Sequence, residues 1–94
     1  MATKGQHRYH QQIQELLSLI RAQLTAAEIA EVHHLIDHGE PAEGLRALAW
    51  IIEEEKKQVP LSVKRSICGL TRGLIGDEHM PESFRGIIAD EEKA

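Results

Sequence analysis

The chain is short of aromatics, of cysteine and of long apolar runs, and each shortage excludes something. One Trp, one Tyr and one Phe occur in 94 residues, so the core must be aliphatic, built from Leu, Ile, Val and Ala. That favours helix-on-helix packing over a β-sandwich, whose strands draw on aromatics and Thr. Cys68 is the single cysteine, so there is no internal disulfide and no CxxC pair for zinc. No apolar run approaches the ~20 residues of a membrane span. The start, Met-Ala-Thr-Lys-Gly-Gln-His, has no apolar signal region, and the expected address is cytoplasmic. No Gly-x-Ser-x-Gly elbow, phosphate loop or dinucleotide fingerprint is present. The chain is expected to act by binding rather than as an enzyme, with no cofactor.

What is there reads as helix throughout, in one domain spanning residues 1–94. Tyr9, Ile13, Leu16, Leu17, Ile20 and Leu24 recur at steps of three and four, which predicts a first helix over about 7–23. Residues 1–6 read as a loose tail. Thr25-Ala-Ala-Glu28 is a capping box that opens a second helix with Ile29, Val32, Leu35 and Ile36 inward, closed by Gly39. Pro41 suits the first turn of a third helix, whose stripe is Leu45, Leu48, Ala49 and Ile52. Val59-Pro60 stops it. Ser62 is expected to cap a fourth helix with Val63, Ile67, Leu70 and Leu74 inward, running to Gly76. Gly69 and Gly73 would share one side of it, where another helix could come close. Pro81 opens a short fifth helix holding Phe84, Ile87 and Ile88, and residues 90–94 are expected to fray. The fold class is all-α: a bundle of four helices plus a short fifth.

Charge is segregated along this frame. Between Glu28 and Glu55 there are eight acids (Glu28, Glu31, Asp37, Glu40, Glu43, Glu53, Glu54, Glu55) and one base, Arg46. Between Lys56 and Gly76 there are five bases (Lys56, Lys57, Lys64, Arg65, Arg72) and no acid. One explanation is pairing between helices. The other is an acidic surface for a basic protein partner, with Glu31, Asp37, Glu40, Glu43, Trp50 and Glu54 as the binding residues. Trp50 lies about 140° from the centre of its helix's apolar stripe, on the side of Glu43 and Glu54. It is either an interface anchor or part of a central helix buried nearly all round. A buried Trp needs a partner for its indole N–H. The basic fourth helix could pose as a recognition helix, but the acidic third helix would repel phosphate, so nucleic acid is not the expected partner. No membrane partner is implied, and a monomer is slightly favoured.

His34 and His38 are four apart, a spacing that lets two imidazoles meet one metal. The remaining ligands would have to come from distant positions such as His7, His10 or His79, so a solvated polar face is the reading preferred and no metal ligand is assigned. Cys68 has Lys64, Arg65 and Arg72 nearby, which would lower a thiol pKa. No local His accompanies it, and a packing role is expected.

The stretch Leu35-Ile36-Asp37-His38-Gly39-Glu40-Pro41-Ala42-Glu43-Gly44-Leu45-Arg46-Ala47-Leu48, followed by Glu53-Glu54-Glu55 and Val59-Pro60-Leu61-Ser62, resembles the MafI-type immunity proteins of bacterial polymorphic toxin systems. The resemblance covers roughly residues 32–84. Pro41 and the glycine-containing basic fourth helix depart from it, and no motif carries binding residues across one by one. It implies a cytoplasmic antidote that binds a cognate toxin and blocks it. A helical adaptor or regulatory subunit, or a homodimeric interaction module, is the alternative expectation.

Overall fold

Five helices follow one another in the computed structural model, which describes the backbone of residues 4–93 and the side chains of residues 7–91. They are α1 (Lys4–Ile20), α2 (Ala26–Asp37), α3 (Pro41–Glu54), α4 (Leu61–Thr71) and α5 (Glu82–Lys93). Short 3-10 turns at Arg21–Gln23 and Asp77–His79 follow α1 and precede α5. No strand occurs among the described residues, so the protein is an all-α bundle with a short fifth helix. α1 begins at Lys4, not His7, and residues 1–3 of the expected tail lie outside the described residues. α5 is helical through Lys93, and Ala94 lies outside the described residues.

The aliphatic stripes converge on one core. Ile13, Leu16, Leu17, Ile20 and Leu24 meet Val32 and Ile36, the α3 stripe, Val63, Ile67, Phe84 and Ile88. Each fully buried Leu or Ile contributes roughly 1.5–3 kcal/mol, which is why so few aromatics suffice. α3 packs on both α2 and α4, and α4 also meets α5 and α1. The Tyr9 hydroxyl, on α1, donates to the carbonyl of Leu70 at 2.7 Å. That carbonyl sits in the last turn of α4, where helical partners run out. Burial raises the Tyr9 pKa, which keeps the hydroxyl a donor.

The α2–α3 hairpin is fixed by local chemistry. The Glu28 N–H donates to the Thr25 hydroxyl at 3.1 Å, and the Thr25 N–H donates to the Glu28 carboxylate at 2.8 Å, closing the expected capping box. At the other end Gly39 takes φ +80°. Its N–H donates to Ile36 O and that of Glu40 to Leu35 O, at 3.2 and 2.9 Å, the paired bonds of a glycine-terminated helix. Pro41 then starts α3. Gly44 faces α2 so closely that a Cβ there would lie 3.0 Å from Ile36 Cγ1 and 3.2 Å from the Val32 carbonyl oxygen. α3 ends in the same paired-bond motif, Lys57 N–H to Ile52 O (2.9 Å) and Lys56 N–H to Glu53 O (3.3 Å). Here a lysine, Lys56, occupies the left-handed position at φ 51°.

α4 departs from expectation at both ends. It starts at Leu61 after Pro60, and Ser62 makes no cap bond. It stops at Thr71, because Arg72 (φ −58°, ψ 128°) and Gly73 (φ 77°) form a turn closed by Leu74 N–H to Thr71 O at 3.0 Å. These angles are those of a type II turn, whose third residue wants glycine. Gly73 therefore serves the turn and not a helix contact, and open space surrounds Gly69. Leu74, expected inward, is 62% exposed, whereas Cys68 and Thr71 are buried.

Candidate functional site

An acidic surface lies where α2 and α3 run side by side. Glu28, Glu31, Arg46, Ala47, Trp50, Ile51, Glu54 and Glu55 line a shallow open groove of about 440 Å³. Both helices expose one flank there because Gly44 and the inward stripes draw their opposite flanks together. Of the six residues predicted to bind, the structure brings Glu31, Trp50 and Glu54 to this groove. Glu43 is not among its lining residues; it is held by Arg46, Nε to Oε2 2.7 Å. Asp37 and Glu40 are exposed at the turn end of the hairpin, outside the groove.

Some of the segregated charge is spent on internal pairs. Lys57 bridges α3's exit to Glu28 at 3.0 Å, with both side chains largely covered (17% and 16% exposed). The backbone bond from Thr25 first, and Lys57 second, lower the Glu28 pKa. Arg72 reaches Glu91 on α5 at 2.7 Å. Among the described side chains no base pairs with Glu31, Glu54 or Glu55. The groove thus keeps three uncompensated carboxylates beside an indole and Ile51.

Trp50 is half-buried, neither wholly within the core nor wholly exposed. It lines the groove, and its indole N–H donates to the carbonyl of His79 at 2.8 Å. One turn further along α3, the Glu53 carboxylate accepts from the Ser83 N–H (3.1 Å) and the Ser83 hydroxyl (2.9 Å). A carboxylate at the first turn of α5 satisfies a free backbone donor and complements the positive end of the helix. Trp50 and Glu53 therefore pin the segment leading into α5. Nothing in the sequence distinguishes Glu53 from Glu54 and Glu55 beside it. Its role follows from a partner thirty positions away.

Cys68 is 1% exposed and its thiol lies 3.7 Å from the Phe84 carbonyl. Burial pushes its pKa up to about 11, against the smaller opposing influence of Arg72. Such a thiol is protonated at neutral pH and packs rather than reacts. His34 and His38 meet as expected, with ring centroids 4.1 Å apart, and no group of three or more His, Cys, Asp or Glu that could hold a metal occurs among the described residues. A second groove of about 560 Å³ runs between α1 and α4, along Gln12, Glu15, Leu16, Leu19, Ser66, Gly69 and Leu70. Leu19 is 73% exposed there. Among the described residues no helix is long and apolar enough to cross a membrane. No protein-family model, curated protein or solved structure matches the chain.

Proposed function

We propose that this protein is an immunity-type antidote that binds and neutralises a cognate bacterial toxin, with the α2–α3 groove as its docking surface. The observation that carries the reading is the groove itself: Glu31, Glu54 and Glu55 stand around Trp50 and Ile51 without a basic partner among the described side chains. A half-covered Trp among free carboxylates suits a basic protein surface, with the aromatic as anchor and the charges steering encounter and rejecting wrong partners. Many toxins of such systems act on nucleic acids and are basic, which supports the match. The chain then works by occlusion in the cytoplasm, without catalysis of its own.

The test is co-expression with a candidate toxin domain taken from the adjacent reading frame. The intact chain should restore growth and co-purify with the toxin. Glu31→Lys with Glu54→Lys should abolish both while leaving the helical circular dichroism unchanged. Rescue that survives the double reversal removes the groove from the interface, and absence of rescue by the intact chain removes the antidote reading. The exposed Leu19 beside the α1–α4 groove favours one second reading, a homodimeric adaptor. Light scattering distinguishes the two, since a dimer dissociated by Leu19→Glu supports the adaptor.

A further inference from the structure

We propose that His34 and His38 form a labile binding site for a divalent transition metal, Cu(II) in first place. The four-residue spacing puts both rings on one face of α2, near its end. Spacing alone does not make a site, but the structure adds the orientation of the second ring. His38 Nδ1 lies 2.7 Å from the His34 carbonyl oxygen. A carbonyl only accepts, so Nδ1 carries the hydrogen and the Nε2 lone pair is left free. A backbone carbonyl on one ring nitrogen, with the other nitrogen turned outward, is the arrangement that orients metal-bound histidines.

The second ring is within reach. Two imidazoles bound to one ion at ~2.0–2.1 Å place their centroids roughly 4.5–5 Å apart. The observed separation is 4.1 Å with the rings tilted by 40°, close to that spacing, and chelation requires the two exposed rings to turn until one nitrogen of each meets the ion. Both residues are exposed, so the ion has free access. The location adds a favourable field, because the carbonyl end of a helix carries partial negative charge. Imidazole donors suit Cu, Ni and Zn, and at a site of fixed ligands Cu(II) binds most tightly. No third protein ligand joins the pair among the described residues, so water fills the remaining positions and the ion exchanges readily.

The experiment uses the full chain without a histidine purification tag and CuCl2 as probe. Substoichiometric Cu(II) should broaden the backbone amide signals of residues 34–38 first. His34→Asn and His38→Asn should each lower Cu(II) affinity at least tenfold, while His33→Asn and His79→Asn change it less than twofold. At free metal tenfold above its Kd, Cu(II) should raise Tm by roughly 5–10 °C, and either pair variant should lose that rise. Circular dichroism checks that the variants stay folded, as exposed positions allow. Broadening centred on the other close pair, His7 and His10, or spread evenly over all six histidines, overturns the site, as does undiminished affinity in either pair variant.

Discussion

The α2–α3 hairpin and the α4–α5 corner are both helix-to-helix connections resting on α3, yet they are held in different ways. In the hairpin each restraint acts within a few residues or through apolar closeness: the Thr25–Glu28 box, Gly39 at φ +80°, Pro41, and the near-contact of Gly44 with Val32 and Ile36. At the corner the restraints are polar and come from elsewhere: Trp50 reaches the His79 carbonyl and Glu53 holds Ser83. The hairpin specifies itself. The corner is shaped by a neighbour, so it depends on α3 being in place first.

Substitutions can break or sharpen that contrast. Gly44→Val should do most damage. Its side chain meets backbone at 3.2 Å, and overpacking of that kind costs about 2–3 kcal/mol; a urea midpoint should fall accordingly, and a loss under 1 kcal/mol means the hairpin is looser than described. Trp50→Ala should cost about 2 kcal/mol, less than a fully buried Trp because part of the ring faces the groove. Amide exchange should then rise first at residues 77–85; a uniform rise would mean the corner is not separately held. Lys56→Gly should raise stability by roughly 0.5–1 kcal/mol, since it removes a side chain from a left-handed position. Gly69→Ala should also stabilise, by up to ~1 kcal/mol, because it adds helix propensity where nothing is touched; its sign opposite to that of Gly44→Val is the check.

The smallest effect concerns Glu28. Its folded-state pKa is lowered, so its carboxylate stabilises the fold above the unfolded-state pKa and loses that contribution as pH falls through the folded value. Glu28→Gln should flatten this part of the acid limb when stability is followed by denaturant titration from neutral pH downward. An unchanged limb would mean that Thr25 and Lys57 hold the side chain without favouring its charge.

The same contrast explains what could be read in advance. The hairpin was legible because caps, stops and a 3.6-residue stripe are encoded within a few positions: Thr25, Gly39, Pro41 and Leu45–Ile52 each announce their role. Glu31, Trp50 and Glu54 could be assigned to one surface for a similar reason, since helical phase puts Trp50 and Glu54 on one flank of α3. Asp37 and Glu40 share only charge with them, and charge does not report that the hairpin turn lies beyond the groove. The apolar step to Leu74 argues for a longer α4, but Gly73 belongs to a turn that competes with one more helical turn. The clamp from Trp50 and Glu53 could not be read, because each donor or acceptor finds its partner about thirty positions away.

The single indole of the chain sits where groove and corner adjoin. Its emission is therefore a built-in optical probe that no label need supply. A partner seated in the groove should dry the ring and shift its fluorescence to the blue, whereas release of residues 77–83 should wet it and shift it to the red. Opposite colour changes from one chromophore let binding and local opening be followed separately in the same cuvette.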